Sequence, residues 1–410
     1  MTDAWLKGTL RLPPRVHVGF GVRQRLVAEL PADSERVLAV IDPFLVGTPI
    51  WAQLRTLLEG AGRQVSVYSD ITPELPVDSL TAAAADAADF GAQVIVAVGG
   101  GSALDAGKLI ALLLAHGGPL SRYYGENRVP GPVLPVVALP TTAGTGSEVT
   151  PVAVIADSER ELKVGVSSPY LVPAVALVDP ELTMAAPASV TAFAGIDALV
   201  HAVESYTAAP FSSEAATDSA AALPVFTGRN VLTAGLSLQA AGRIHRWLPV
   251  AVRDGGDRRA RAELSVGALQ AGIAFGPTGT HLSHALQYPI GALTKTPHGL
   301  GTGLLLPYVL DILAQDAEAA LRIGELGATF GVAADPGAVV AALVELNRLI
   351  GVPPDLAELG IERGQLPRIV ELALQSQRLV AISPVPADAV LLHEILDNAL
   401  AGTLTGGSAS

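Results

Sequence analysis

The stretch Val94-Ile-Val-Ala-Val98 runs directly into Gly99-Gly100-Gly101-Ser102, and the apolar segment Leu109–Ala115 follows as helix. A strand with no polar alternation has to be buried on both faces, and that is the habit of a parallel sheet with helices above and below. The same order recurs along the first part of the chain. Val37–Ile41 is an apolar strand ending at Asp42-Pro43, and Trp51–Gly62 has helical periodicity. Gln64–Tyr68 reads as strand and Ser79–Gly91 as helix. Leu134–Leu139 is a strand closed by Pro140, and Ala176–Asp179 looks like the last one. The fold class expected is therefore α/β with a parallel sheet.

A chain of 410 residues is too long for one small core, so two domains are expected. From Ser189 onward the pattern is helical: Ala192–Tyr206, Leu236–Val252, Arg258–Ala274, Asp316–Phe330, Pro336–Leu349 and Asp388–Ala401. We place an α/β domain over residues 1–188 and an all-α domain over residues 189–410, with the boundary near Pro187. Phe211–Asn230 is the least regular stretch and reads as a loop insertion. Gly406–Ser410 reads as a disordered tail. No apolar targeting segment follows Met1–Lys7.

The turn after Val98 has a chemical reading. Glycines at 99, 100 and 101 let the backbone approach a pyrophosphate, and the helix that follows offers free N–H groups to an anion. Ser102 is expected to cap that helix and donate to phosphate. A second polar turn, Pro140-Thr-Thr-Ala-Gly-Thr-Gly-Ser-Glu148, supplies hydroxyls at Thr141, Thr142 and Thr145. Two such loops at strand C-termini suit a dinucleotide in the crevice of an open α/β sheet. Ordinary tight turns are the other reading of each loop taken alone. Neither is a Walker motif. Asp42 ends a strand where a carboxylate accepts from an adenosine ribose and repels a 2′-phosphate, which points to NAD over NADP. Its plainer reading is a turn-starting Asp-Pro.

The helical half carries Gly195–Ser205 and His281–Gly299. Asp197 and His201 lie one helical turn apart on one face. His284 and His298 add two imidazoles from a second helix and the loop after it. One carboxylate and three imidazoles suit a divalent transition metal, with Fe(2+) and Zn(2+) fitting equally well. His281 shares a helix face with His284. It is a partner to the ligand, a proton relay or a structural residue.

The absence of cysteine excludes disulfides, thiolate ligands and a Cys nucleophile, and fits a reducing, cytoplasmic setting. A formal net charge of −13 argues against nucleic acid or anionic membrane as partner. No apolar run approaches a membrane span.

Taken together, Gly19-Phe-Gly21, Asp42-Pro43, Gly99–Lys108, Pro140–Glu148, Lys163, Val178–Leu182, the Asp197/His201 helix and the His284/His298 segment resemble the iron-containing (group III) alcohol dehydrogenases. The resemblance covers most of the chain. It implies an N-terminal dinucleotide-binding domain and a C-terminal helical metal-binding domain, with the metal in the cleft between them. It makes Asp197, His201, His284 and His298 the metal ligands and tilts the metal to iron. It makes Gly99, Gly100, Gly101, Ser102, Asp105, Thr141, Thr142 and Thr145 cofactor contacts, and places Lys163 near the reacting centre. A solvated surface lysine is the plainer reading of Lys163. The implied activity is hydride transfer between NAD(H) and a small alcohol/aldehyde, in a homo-oligomer such as a dimer.

At Tyr288, many members carry a histidine that faces nicotinamide and substrate. Tyr288 either bonds substrate or packs, and His281 is a candidate to substitute for the missing histidine. The stretch Gly279–Ile290 looks more like the hydroxyacid–oxoacid transhydrogenase branch, which implies a hydroxy acid/oxo acid pair. The loop before His298 is shorter than in that branch. A 3-dehydroquinate synthase-like lyase is the reading from another class, but the basic residues it needs are missing around positions 190–300.

Overall fold

The computed structural model describes residues 8–72, 75–157, 159–160, 163–211 and 223–405. The expectations for Met1–Lys7, for most of the irregular stretch after Phe211 and for Gly406–Ser410 lie outside the described residues. Backbone contacts divide the chain into two compact units. Of the described residues, one comprises 11–186 with 223–225, the other 8–10, 187–211 and 226–405.

Among the described residues the first unit is built on nine strands: β1 (Arg15–Val18), β2 (Arg36–Ile41), β3 (Gln64–Tyr68), β4 (Val94–Gly99), β5 (Gly125–Glu126), β6 (Val136–Pro140), β7 (Val152–Ile155), β8 (Val164–Ser167) and β9 (Val175–Val178). Its helices are α1 (Leu26–Glu29), α2 (Pro49–Gly60), α3 (Val77–Phe90) and α4 (Gly101–His116). Six strands form one parallel sheet in the order β1-β9-β6-β4-β2-β3. The expected apolar strands lie within it.

Alternate residues of these strands face opposite layers. Leu38, Val40, Ile95 and Ala97 pack with α3 and α4 on one face. Val37, Ala39, Ile41, Val94, Val96 and Val98 pack with α1 and α2 on the other. The strands are apolar throughout because both faces are covered. Two features escaped the sequence reading. β1 joins the sheet edge beside β9, and β5, β8 and β7 form a separate three-stranded sheet.

After β2 the chain goes to β3 on one side, then returns to place β4 on the other. That reversal is a topological switch point, where the strand C-termini open a crevice for a ligand. Asp42 stands at the end of β2, its N–H donating to the carbonyl of Val98 at 2.9 Å.

The second unit is helical: α5 (Ala188–Thr207), α6 (Ala234–Arg253), α7 (Arg258–Thr278), α8 (Leu282–Thr294), α9 (His298–Leu313), α10 (Ala317–Glu325), α11 (Gly327–Phe330), α12 (Pro336–Ile350), α13 (Leu366–Gln375), α14 (Gln377–Val380) and α15 (Ala389–Ala401). The single helix expected over Asp316–Phe330 is divided into α10 and α11. α5 is almost entirely buried from Gly195 to Thr207 and packs against α6, α7 and α9. Among the described residues, no helix is long and apolar enough to cross a membrane.

Candidate metal centre and cofactor loops

The two glycine and threonine loops meet at the C-terminal ends of adjacent strands β4 and β6. The Thr141 N–H donates to the Gly99 carbonyl at 3.0 Å. A Cβ at Gly101 would stand 2.7 Å from Thr145 Cγ2, so only glycine lets the loops approach this closely. Gly100 is the N-cap of α4 and has no side chain, which leaves the first-turn N–H groups of a 16-residue helix without a side-chain cap. Such a terminus is suited to an anion. Ser102 does not cap the helix as its sequence position suggests: the cap position is Gly100, and Ser102 lies inside the first turn.

Asp105 is committed to the protein. Its Oδ1 accepts from the Ser147 hydroxyl at 2.5 Å and its Oδ2 from the Val154 N–H at 2.9 Å. It therefore ties the second loop to α4. Lys108 is fully buried and donates to the carbonyls of Thr150 and Val152 at 2.9 and 2.8 Å. Burial lowers its ammonium to about 8, against the opposing pull of Asp105 and Glu148. The Asp42 carboxylate accepts from the Phe44 N–H at 3.0 Å and remains partly exposed at the switch point. Lys163 is exposed at the entry to β8.

In the helical unit, Asp197, His201 and His284 are buried, and one ligand atom from each lies within 4.8 Å of the others. His201 Nε2 is 3.8 Å from Asp197 Oδ2, and His284 Nε2 is 3.8 Å from Asp197 Oδ1. His298 Nε2 is 3.7 Å from the same Oδ1. Two atoms that share one ion at about 2.1 Å each stand no more than about 4.2 Å apart. All three separations meet that limit. His284 Nε2 is buried and has no hydrogen-bond partner, an unmet acceptor facing a carboxylate. Nitrogen and oxygen donors in this set suit iron(II) or zinc. The residues present fit a divalent ion.

The fold explains why these side chains converge. Asp197 and His201 are four residues apart on α5. The His201 ring is stacked on Phe275 of α7 at 4.2 Å and on His284 at 4.9 Å. His298 is the first residue of α9, not part of a loop as the Thr-Pro-His-Gly sequence suggests. Pro297, with ψ 135°, is its N-cap and the helix begins after it. Gly299 brings α9 onto α5, because a Cβ there would lie 1.9 Å from the Phe193 carbonyl oxygen. Thr302, one turn on, donates to Asp197 Oδ1 at 3.1 Å. Burial opposes ionisation of Asp197, but the electrostatic influence of the surrounding imidazoles, His201 first, and the Thr302 hydroxyl hold its carboxyl below the usual range. Burial, with His201 next, holds His284 well below its ordinary value, which keeps the ring neutral. The His298 side chain is 39 % exposed, so the cluster opens on its side.

The remaining residues divide. Tyr288 is stacked on His298 at 5.8 Å and 20°. His281 is fully buried and is the N-cap of α8 rather than a member of its helical face. Its Nε2 meets the Thr207 hydroxyl at 2.9 Å, and its Nδ1 is 3.4 Å from Glu204. Two neighbours went unnoticed in the sequence. Glu204, fully buried on α5, accepts from His284 Nδ1 at 2.7 Å. Its signal was its spacing, three residues after His201 on the same helix face. Arg378 of α14 lies over the Phe226 ring at 4.3 Å and hydrogen-bonds the Tyr288 hydroxyl. No local spacing signals it.

A parallel α/β sheet with an anion-type glycine turn at its switch point, joined in one chain to a helical unit with a buried Asp/His cluster, defines a class of metal- and nucleotide-dependent enzymes. Residues 13–180 match the family described as iron-containing alcohol dehydrogenase, and residues 191–400 match the Fe-containing alcohol dehydrogenase family, C-terminal. The chain belongs to the iron-containing alcohol dehydrogenase family, and it is an oxidoreductase.

Among its relatives is long-chain-alcohol dehydrogenase 1 of Geobacillus thermodenitrificans, 36 % identical over 401 residues and 96 % of both chains. NAD-dependent methanol dehydrogenase of Bacillus methanolicus is 32 % identical over 396 residues, covering 95 % of this chain and 99 % of the relative. The sulfoacetaldehyde reductase of Bifidobacterium kashiwanohense, solved in complex with NAD+, superposes with a TM-score of 0.83 at 27 % identity. That match covers 96 % of this chain and 99 % of the other.

Proposed function

We propose that this protein interconverts small alcohols and aldehydes with NAD(H), using iron(II) held by Asp197, His201, His284 and His298. The observation that carries the reading is the buried, partnerless His284 Nε2 facing Asp197, with two more imidazoles in range. When bound, iron(II) polarises the substrate oxygen and NAD(H) exchanges the hydride.

The chain's own residues do the positioning. Phe275 and His284 fix the His201 ring between them. Thr302 orients the Asp197 carboxylate. The α4 N-terminus with Gly99–Ser102, Thr141, Thr142 and Thr145 holds the cofactor phosphates and nicotinamide end, while Asp42 accepts from the ribose. Asp105 keeps the second loop in place. Tyr288 borders the substrate beside His298. His281, enclosed between Thr207 and Glu204, supports the start of α8. Lys163 is assigned to the neighbourhood of the reacting centre by family likeness alone. The working form is a cytoplasmic homo-oligomer, a dimer at the smallest.

The test is metal analysis of anaerobically purified protein, followed by NADH oxidation over a panel of small aldehydes. The expected result is about one iron per chain, with activity lost to a chelator and restored by Fe(2+). Equal turnover by metal-free protein would sink the proposal.

One observation favours a second reading, a hydroxy acid/oxo acid pair turned over with bound NAD as in a transhydrogenase. Arg378 sits beside Tyr288, and among the described residues no carboxylate pairs with it. A guanidinium so placed suits a substrate carboxylate. Arg378→Met is expected to lower kcat/KM for glyoxylate by roughly tenfold or more, as loss of a charge-assisted hydrogen bond implies, and to leave acetaldehyde within about threefold. An equal fall for both substrates removes this second reading.

A further inference from the structure

We infer that Glu204 selects the ring nitrogen that His284 presents to iron, and that it does so while anchoring the start of α8. The inference rests on the metal-site reading above.

Asp197, His201 and Glu204 sit at positions i, i+4 and i+7 of α5, so all three share one face. Glu204 is fully buried, which is costly for a carboxylate unless donors meet it. Three do. Its Oε1 accepts from the Ser283 N–H at 2.7 Å. Its Oε2 accepts from the His281 N–H at 2.8 Å and from His284 Nδ1 at 2.7 Å. No Lys or Arg among the described residues pairs with it.

Two of these donors are backbone groups at the start of α8, which its own N-cap side chain leaves uncapped. A carboxylate there satisfies them and meets the positive end of the helix dipole. The third bond places the ring proton of His284 on Nδ1. Nε2 is then the lone-pair nitrogen, and it is this atom that is buried without a partner and 3.8 Å from Asp197 Oδ1. One carboxylate thereby fixes both where His284 stands and which atom it offers. This is how a histidine ligand is oriented from behind.

Glutamine is the discriminating substitution because it keeps the shape. Wherever its amide NH₂ lies, an N–H faces another N–H. With NH₂ in the place of Oε2, the His284 ring is driven to accept at Nδ1. Its proton then moves to Nε2 and blocks the metal-facing atom.

The experiment titrates full-length wild type and Glu204→Gln with Zn(2+) against a chromophoric chelator, beside a thermal melt of each metal-free protein. Zinc affinity of the folded variant is expected to fall 10–100-fold, the range typical for loss of such a partner. A variant that binds zinc as wild type does, at unchanged or lowered Tm, overturns the inference and leaves Glu204 a helix cap. Failure of wild type to bind zinc would instead remove the metal-site reading itself. Should Glu204→Gln not fold, ¹⁵N-histidine NMR of wild type decides, with the His284 signals assigned by their absence in His284→Asn. A protonated Nδ1 in both metal-free and zinc-loaded protein is expected, and a zinc-bound or deprotonated Nδ1 overturns the inference.

Discussion

Substituting His284 by alanine should lower kcat/KM with NADH and a small aldehyde by at least ~10³-fold, about 4 kcal/mol of lost transition-state stabilisation. The same substitution should reduce iron content to a small fraction of one per chain. The size of the effect follows from where His284 sits. It stacks on His201, lies edge-on to His298 and directs a buried, unpartnered nitrogen toward Asp197. Removing it deletes one ligand and withdraws the ring against which His201 is held.

Stability should respond in a way that separates metal loss from misfolding. Added metal raises the Tm of wild type in proportion to its binding. In His284→Ala that rise should vanish, while the metal-free Tm stays close to wild type. His298→Ala should do less, since its side chain is half-exposed and its ring is held on one side by Tyr288. Iron assay, steady-state kinetics and paired melts test all of this. A His284→Ala protein with full iron and full rate would refute the four-ligand site.

Gly299→Ala is expected to do nearly as much harm with a single methyl group. That methyl would lie 1.9 Å from the Phe193 carbonyl oxygen and 2.9 Å from Asp197 Cβ. Neither neighbour is a flexible side-chain end, so α9 has to move off α5. Overpacking of this kind costs about 1–3 kcal/mol, and at about 2–4 °C per kcal/mol the Tm should drop by several degrees. The helix that moves carries His298 and the Thr302 hydroxyl bonded to Asp197. Zinc or iron affinity should therefore fall at least about tenfold, the equivalent of roughly 1.4 kcal/mol. Measured Tm and metal affinity both equal to wild type would show that the two helices have slack that the structure does not indicate.

Much of the sheet was legible because burial on both faces leaves a plain trace. Val37–Ile41 and Val94–Val98 contain no polar residue, and they became central strands. β1 left no such trace: Arg15-Val-His-Val18 is a short, mixed edge strand whose partner is 160 residues away. The small sheet is built from two- and four-residue strands with a Gly at 125 and 165, below any periodicity signal.

At the site, Asp197 and His201 could be paired from helical spacing alone. Glu204 obeys the same spacing, yet a glutamate on a helix is usually a solvated charge, and only burial distinguishes it. His298 was seen as a metal-type residue but misplaced in a loop, because Pro297 closes the preceding segment and opens a helix with the same residue. Arg378 is 90 residues beyond Tyr288, and no local pattern links them.

The short segment 223–225 belongs to the α/β unit although the described residues on either side of it belong to the helical one. It is held there by Arg11, which donates to the Pro224 and Val225 carbonyls at 3.5 and 3.4 Å. Glu126 accepts from the Val225 N–H at 2.7 Å, and Asn127 donates to the Leu223 carbonyl at 3.0 Å. The segment 8–10 makes the opposite excursion. Each unit is thus assembled from more than one stretch of the chain, and no single peptide bond divides their sequences. A gene fusion that exchanged either half at residue 188 would carry away part of the other. Recombination between relatives should therefore succeed only when both excursions travel with their own unit.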